Sequence, residues 1–322
     1  MQKSWSYEEH TSTGPNVELI AQTEDCQVHR MQSESGEGFM TMYQLMDGVF
    51  VMFNDFHMET CVSHFETHGN MLRIDHVREG RYEMSLNDGS FLVYGVGDLC
   101  FKRFGDHTGD VSFPLKHYHG ATVILDLEPA SRSIAKALPG IPVDLDGIVE
   151  RFTPEPRASV IHETAEIAQI FDSIYAASGP QKKTRLSLKV VELLVALQEM
   201  EELDWKNPNV YHTRDQTGTV KLIHRRLTED LSCNYTIAEL CEAYGIAATS
   251  LKSIFKSIYG SPIHTYLRNY RMNAAAVMLI EEPEKRIGEI ARAVGYESAG
   301  KFSIAFREIM GESPQNYRNH QR

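Results

Sequence analysis

A short pattern occurs twice in the last third of this chain, at an offset of 50 residues. The first copy, residues 236–246, reads TIAELCEAYGI, and the second, residues 286–296, reads RIGEIARAVGY. Beyond the glycine of each copy the offset grows by one residue, as an insertion in a turn would cause. The later matching positions are Phe255 with Phe306, Lys256 with Arg307, Gly260 with Gly311 and Tyr266 with Tyr317. Each copy predicts a helix, a glycine turn and a second amphipathic helix, which is the outline of a helix-turn-helix unit.

The first copy carries signals for both of its helices. Thr236 followed by Glu239 predicts a capping box, so a helix is expected to begin at Ile237. Gly245 suits the positive φ of the turn. The following helix is expected from about residue 248 to 259, and its outer face would present hydroxyl and ammonium groups to a DNA major groove. The residues predicted on that face are Thr249, Lys252, Ser253 and Lys256.

The second copy is more apolar on the equivalent face. Ser261 and Pro262 predict a joining helix that ends near Ile280, long enough to set two recognition helices about one DNA turn (~34 Å) apart. The second recognition helix is expected from about residue 298 to 310. Its predicted outer residues are Ala299, Lys301, Ser303, Ile304 and Arg307. We expect the first helix to carry most of the sequence reading, while Lys301, Ser303 and Arg307 add contacts to the DNA backbone.

The charge of the chain is distributed unevenly. The formal net charge of −12 argues against a nucleic-acid partner when it is taken as a whole. From Thr219 to the end, however, 14 Lys and Arg stand against 11 Asp and Glu, a net of +3, whereas residues 1–218 have 18 against 33, a net of −15. The basic excess of the last third is compatible with DNA binding of moderate affinity and strong salt dependence.

The first part of the chain has the pattern of a β domain. Short apolar or alternating runs, broken by turn signals, follow one another between Gly48 and Leu127. Asn87-Asp-Gly89 predicts a hairpin between two of these runs, and Arg78-Glu-Gly-Arg81 is interpreted as another turn. Several short strands at close spacing are typical of a barrel or sandwich.

Two helices are predicted after a Pro-rich passage, over residues 164–177 and 182–200, with Gly179-Pro180 between them. Their apolar stripes must be buried, either against the protein's own barrel or in a dimer interface, and the sequence favours neither. The predicted organisation is a front domain at 1–160, a helix pair at 161–205, a polar linker at 206–218 and a domain with the two helix-turn-helix units at 219–322.

The cysteines and the apolar runs limit the classes of protein to which the chain can belong. The five cysteines are scattered and include no Cys-x-x-Cys pair, so neither a disulfide framework nor a zinc ribbon is indicated. No signal peptide or run of about 18 apolar residues is present. We therefore expect a cytoplasmic protein without a membrane partner.

Histidines and arginines of the front domain are candidates for a ligand site. His64-x-x-x-His68 and His117-x-His119 have metal-ligand spacings, but no complete metal motif accompanies them, so no metal and no cofactor is assigned. Arg73 and Arg78 are candidates for binding a carboxylate or phosphate effector, although a solvated hairpin is the favoured interpretation of the cluster around Arg78. The effector-site residues predicted are Arg73, Arg78, His64, His117 and His119.

The spacing of the last third resembles the AraC/XylS family of bacterial transcription regulators. The resemblance covers about residues 219–320 and is carried by Phe255-Lys-x-x-x-Gly260-x-Pro, by Ile287-x-Glu-Ile-Ala291-x-x-Val-Gly-Tyr296, and by Phe302-Ser-x-Ala-Phe306-Arg-x-x-x-Gly311-x-Ser-Pro314. It implies a seven-helix domain whose two helix-turn-helix units bind consecutive major grooves, with Thr249, Lys252 and Ser253 contacting bases. Family members often carry Arg or another long polar residue where Ile304 stands, which makes the second helix atypical.

The same resemblance implies an α+β chain, with a front cupin-like β-barrel that binds a small effector, a helix pair that dimerises, and an all-α domain with two helix-turn-helix units. We expect a homodimeric, effector-responsive regulator that is not an enzyme, whose partners are double-stranded promoter DNA, RNA polymerase and a small-molecule effector. Two alternatives remain open. The front domain binds a protein partner in the first, and is a metal-dependent cupin enzyme fused to a DNA binder in the second.

Overall fold

The computed structural model describes residues 11–12, 16–62, 66–67, 70–103, 107–154, 158–200 and 211–320. The chain divides into two compact units, Met1–His212 and Thr213–Arg322. The first unit combines a sheet with helices, and the second is built from helices. None of the described helices is long and apolar enough to span a membrane.

The strands are short except for one. In chain order they are β1 (Thr11–Ser12), β2 (Val17–Gln22), β3 (Cys26–Ser33), β4 (Gly36–Met46), β5 (Val49–His57), β6 (Thr60–Val62), β7 (Glu66–Thr67), β8 (Met71–Leu86), β9 (Ser90–Gly95), β10 (Asp98–Lys102), β11 (His107–Ser112), β12 (Tyr118–Asp126), β13 (Ser159–His162) and β14 (Tyr211–Thr213). The first unit also contains the helices α1 (Leu127–Ala137), α2 (Leu145–Phe152), α3 (Ala165–Ala176) and α4 (Lys182–Glu199).

Antiparallel pairing joins twelve of the described strands into a curled sheet, and β1 pairs separately with β7. The main strand order is β13-β10-β8-β12-β5-β4-β3-β2, and β9 and β11 both pair with the long strand β8. Period-2 alternation directs successive side chains of each strand to opposite faces. This confirms the predicted α+β class with a cupin-like front sheet followed by helices.

The two faces of the sheet have different cores. On one face Val51, Ile74 and Val123 pack against the helices α1 to α4. The opposite face buries a second cluster that contains no helix residue and is rich in methionine and aromatic side chains, among them Met52 and Tyr94. The interior of the curled sheet is therefore lined by this second cluster.

The apolar stripes of the predicted helix pair lie against the protein's own sheet. Ile170 and Phe171 on α3, and Val190 and Leu194 on α4, are almost fully buried in the same core as the sheet residues. Of the two explanations that the sequence left open for these stripes, burial within the chain is the one observed. The helices α1 and α2 were not predicted. Helix α1 ends at Ala137, before the Pro-rich passage, and α2 lies within that passage.

The long strand β8 corrects one expectation. It continues through Arg78–Arg81 without reversing, so the predicted turn there is wrong. Gly80 has φ +82°, and the pairing of β8 with β12 shifts register beside it, between His119 and Gly120. A glycine at a β-bulge has the same local signature as a glycine in a turn, which explains the error. The hairpin predicted at Asn87–Gly89 is present between β8 and β9.

Seven helices make up the described part of the second unit: α5 (Arg214–Glu229), α6 (Ile237–Tyr244), α7 (Ala248–Tyr259), α8 (Ile263–Glu281), α9 (Ile287–Ala293), α10 (Ala299–Met310) and α11 (Pro314–His320). Helix α5 begins inside the segment 206–218 that was predicted as linker. Thr213 caps it by accepting a hydrogen bond from the Gln216 N–H, and Val220 and Ile223 are fully buried. Burial of this stripe outweighs the weak helix propensity of residues 214–218. Residues 201–210 lie outside the described part of the chain.

Candidate DNA-binding surface

The first helix-turn-helix unit is fixed by its caps. The Thr236 hydroxyl accepts the Glu239 N–H at 3.2 Å, and the Glu239 carboxylate accepts the Thr236 N–H at 2.8 Å, so the predicted capping box is present. These hydrogen bonds hold the pKa of Glu239 below its ordinary value. Gly245 ends helix α6 with φ +62°, as the turn requires. The start of helix α7 is thereby set relative to α6.

Helix α7 separates an aromatic core from a polar outer face. Leu251, Phe255 and Ile258 have no exposed surface. On the buried side His224 of α5 stacks on Tyr259 with 4.1 Å between ring centroids. The four residues predicted on the outer face are all exposed, namely Thr249, Lys252, Ser253 and Lys256. Their hydroxyl and ammonium groups are of the kinds that contact base edges and phosphates.

Helix α10 repeats the arrangement with a less polar outer face. Ser298 caps it by accepting the Lys301 N–H, and Phe302 and Phe306 are fully buried. Ala299, Lys301 and Arg307 are exposed, and Ile304 exposes 55% of its surface. More than half of the Ile304 surface is open to solvent, and an exposed aliphatic side chain is suited to apolar contact with thymine methyl groups.

Ser303 lies differently from its neighbours on α10. It is half-buried, and its hydroxyl donates to the Ala299 carbonyl one turn back at 2.8 Å. The hydroxyl can still accept a hydrogen bond, but its donor is engaged within the helix. We therefore expect less phosphate binding from Ser303 than from Lys301 or Arg307.

Arg271 on the joining helix α8 anchors the fold of this domain. It is 8% exposed, and its guanidinium donates to the Asn234 side chain at 2.9 Å and to the Cys233 carbonyl at 2.7 Å. Asn234 in turn donates to the Gly295 carbonyl in the second turn. Because Arg271 is buried and donates within the domain, its role is to connect helix α8 to the turns around Asn234 and Gly295.

A second arginine of α8 orients the second recognition helix. Arg268 forms an exposed ion pair with Glu308 on α10. Together with the core of Met272, Leu279, Phe302 and Phe306, this pair holds α10 against the joining helix. Sequence reasoning missed this role because the residues are 40 positions apart.

This part of the chain is similar to known helix-turn-helix proteins. A family described as a helix-turn-helix domain matches residues 240–320. The transcriptional activator RhaR is 33% identical over 97 residues in Yersinia pseudotuberculosis, which covers 30% of this chain and 33% of that protein. RhaR of Pectobacterium carotovorum is 31% identical over the same length, which covers 34% of its own chain.

Residues 240–320 thus resemble the helix-turn-helix domain of AraC-type transcription regulators. The chain spans only about a third of the length of these curated relatives. Among solved structures, the C-terminal domain of AraT, a response regulator from Geobacillus stearothermophilus, is 30% identical, with 32% of this chain and 84% of that chain covered and a TM-score of 0.30.

In the unit that precedes the AraC-type domain, the structure separates the predicted effector residues. Arg73 lies on the face of the sheet opposite the helices, where it is 3.4 Å from Asp75. Arg78 lies on the helix-facing side, with its guanidinium 4.9 Å from the ring centre of Tyr175. His117 precedes β12 with its Nδ1 3.0 Å from the Leu115 carbonyl, and His119 follows in a strand that is central to the sheet. His64 lies outside the described residues.

A buried charge cluster around Arg73 was not predicted. The Lys102 ammonium is 2.7 Å from Asp75, which also accepts the Thr122 hydroxyl at 2.7 Å. Although burial opposes ionisation, the positive charges of Lys102 and Arg73 hold the pKa of Asp75 well below its ordinary range. These residues come from three neighbouring strands, and only the sheet register brings them together.

His76 occupies the opposite face of the same strand. Its ring stacks on Phe171 at 3.9 Å, and its Nε2 lies 2.8 Å from a Glu163 oxygen. Burial lowers the pKa of His76 despite the neighbouring carboxylate, so the imidazole is neutral at pH 7. Because a carboxylate only accepts, Nε2 carries the proton, and Nδ1 accepts the Tyr175 hydroxyl at 2.9 Å. This histidine connects sheet and helix.

Proposed function

We propose that the protein is a sequence-specific transcription regulator that binds double-stranded promoter DNA in the cytoplasm and is not an enzyme. The observation that carries the proposal is the pair of helix-turn-helix units in one domain, each with a buried aromatic core and an exposed outer face. Helix α7 offers two lysines and two hydroxyls on that face, and α10 offers Lys301, Ile304 and Arg307.

The joining helix makes simultaneous binding feasible. Helix α8 has 19 residues, which corresponds to about 28 Å at 1.5 Å per residue. This length is close to one DNA turn of about 34 Å, the spacing of consecutive major grooves on one side of a duplex. The regulator is thus proposed to contact two adjacent grooves, with base reading concentrated in the first.

Selection from random duplexes tests this proposal. The full chain is expected to enrich one sequence with two conserved blocks about 10 base pairs apart. Four exposed cations, Lys252, Lys256, Lys301 and Arg307, predict a slope of about −3.6 when log affinity is plotted against log salt concentration. Lys285→Ala is a matched control for removal of one positive charge, because Lys285 already pairs with Glu282. Failure to enrich any sequence would refute the proposal.

We further propose that the front unit binds a small anionic effector on the inner face of its sheet. The support is the charge of the cluster there, in which Lys102 and Arg73 stand against Asp75. A surface with two cations, one carboxylate and aromatic rings such as Tyr82 and Tyr94 suits a carboxylate or phosphate ester with an apolar body.

A thermal-shift screen with carboxylates and phosphate esters tests the effector proposal. A ligand that raises the melting temperature of the full chain should lose this effect in Arg73→Met and keep it in Arg78→Met, whose side chain lies on the other face. If no small molecule stabilises the chain, a protein partner for the front unit becomes the better proposal. Turnover of a metal-loaded chain would instead support the enzyme alternative.

Homodimerisation and contact with RNA polymerase are also proposed. Since the apolar stripes of α3 and α4 are buried against the sheet, the proposed dimer uses the outer side of α4, where Leu188 exposes 53% of its surface between Thr184 and Glu192. The mass measured by light scattering should fall to that of a monomer in Leu188→Glu. Transcription in vitro from a promoter containing the selected site would test productive contact with polymerase.

A further inference from the structure

A cluster of metal-ligand side chains lies at one end of strands β5 and β12, away from the buried cluster of Arg73, Asp75 and Lys102. Asp55 and His57 are two residues apart on β5, so their side chains share a face. His119 on β12 is the direct cross-strand partner of Asp55. The register of two neighbouring strands thus brings one carboxylate and two imidazoles together.

The donor atoms of this cluster converge on one point. Asp55 Oδ1 is 2.9 Å from His57 Nε2 and 3.0 Å from His119 Nε2, and the two Nε2 atoms are 3.4 Å apart. A tetrahedral ion with ligands at about 2.0–2.2 Å holds its donor atoms about 3.3–3.6 Å apart. Very small side-chain shifts would therefore place all three atoms at bonding distance from one ion.

A fourth residue supports the orientation of one ligand. Glu79 on β8 is the partner of His119 on its other side, and its carboxylate is 3.5 Å from His119 Nδ1. A carboxylate beside the second nitrogen of a histidine fixes the ring and makes the other nitrogen a better ligand. The register shift of β8 and β12 lies at this position, and bulges commonly redirect side chains at sites.

We propose that Asp55, His57 and His119 bind a divalent transition-metal ion of the zinc type, with Glu79 as a positioning residue. Imidazole and carboxylate donors suit zinc, and three protein ligands leave the remaining position to water. The side chains of Asp55 and His57 are 57% and 63% exposed, so the ion can enter from solvent. The site lies on the opposite face of β5 and β12 from Asn54 and Thr122, which point to the inner cluster, and it is independent of the proposed effector.

A simple histidine–carboxylate pair elsewhere in the chain provides the comparison. His162 Nδ1 is 3.0 Å from Asp98 Oδ1, with the histidine 67% exposed. In the described residues these two groups have no third ligand atom close enough to complete a metal site. The residue types, the exposure of the histidine and the contact distance are thus matched, whereas Asp98 is 14% exposed against 57% for Asp55. The pair also lacks the further converging donor that His119 supplies to Asp55 and His57.

Titration of the full-length, tag-free chain with Zn²⁺ by calorimetry tests the proposal, and visible spectra of the Co²⁺ form report the ligand geometry. We expect one ion per chain, a loss of affinity of at least about tenfold in His57→Gln, Asp55→Asn or His119→Gln, and a loss of up to about tenfold in Glu79→Gln. His162→Gln should bind like the unaltered chain. Zinc binding that survives combined substitution of His57 and His119, or the absence of stoichiometric binding, would overturn the assignment.

Discussion

Removal of the Lys102 ammonium should destabilise the first unit by about 3 kcal/mol. Lys102→Met keeps most of the side-chain volume but leaves the Asp75 carboxylate buried, since the Asp75 side chain is only 4% exposed. Loss of one partner from a buried ion pair typically costs about 3–5 kcal/mol. We expect the lower end of this range because Arg73 and the Thr122 hydroxyl still stabilise the carboxylate.

A second variant separates charge from packing. In the double variant Asp75→Val with Lys102→Met both charges are gone, and replacement of a whole buried pair by apolar groups is often neutral or stabilising. Most of the lost stability should therefore return, to within about 1 kcal/mol of the unaltered chain.

The assay must report on the first unit alone, because the two units need not unfold together. Hydrogen exchange of the peptides from β8 and β12, measured across a urea series, gives the free energy of unfolding of this region. A cost below about 1 kcal/mol for Lys102→Met would show that the Asp75 charge is solvated. A double variant as unstable as the single one would show that the loss comes from packing, and either result would refute the reasoning.

Three further outcomes follow from single sites. Gly295→Ala should destabilise the second unit more than Gly245→Ala. Both glycines have positive φ, but a Cβ at 295 would lie 2.5 Å from the Leu231 carbonyl oxygen, whereas the space at 245 is open. Thermal unfolding of the two variants checks this, and equal losses of stability would contradict it. Thr236→Ala should cost about 1 kcal/mol in urea unfolding through loss of the cap, and no change would argue against the capping box. Burial lowers the pKa of His76, so the unfolded chain binds that proton more tightly than the folded chain. The contribution of the neutral ring to the free energy of unfolding should be complete above about pH 6.5 and decline below it. The free energy of unfolding should change less steeply between pH 7 and 5 in His76→Gln, and an unchanged slope would contradict the lowered pKa.

Local signals predicted the helices of the AraC-type domain well. The capping box at Thr236 and the glycine at 245 fixed the ends of α6, and the apolar period of α7 placed Leu251 and Phe255 in the core, where both are fully buried. These signals act within one or two helical turns, so the sequence contains them directly. Contact between DNA and the outer faces of α7 and α10 is still a prediction.

Long-range pairing could not be read from the sequence. Asp75 meets Lys102 and Thr122 only because β8, β10 and β12 are neighbours in a particular register. The same holds for Asp55 and His119, whereas His117, the partner suggested by spacing, lies with its ring centre 6.2 Å from that of His119 and outside the converging set. The positions of two residues along the chain do not show whether they are cross-strand neighbours in the sheet.

One helix that was not predicted, α2, nevertheless has recognisable signals in the sequence. Helix α2 begins after Asp144, whose side chain accepts the Gly147 N–H at 2.9 Å, and it buries Leu145, Ile148 and Phe152. The cap and the helical spacing are both visible in the sequence, but the surrounding prolines favoured a loop interpretation. Prolines outside the helix do not prevent it from forming.

The central expectation for this protein is that its two recognition helices contribute unequally to the reading of DNA. Its direct test is the affinity of Lys252→Ala and Ile304→Ala for the selected duplex, measured by fluorescence anisotropy at fixed salt concentration. Loss of one good polar base contact is worth about 1–3 kcal/mol, so Lys252→Ala should bind at least fivefold more weakly, and Ile304→Ala should lose less. A larger loss from Ile304→Ala, or unchanged binding in both variants, would contradict the proposed function.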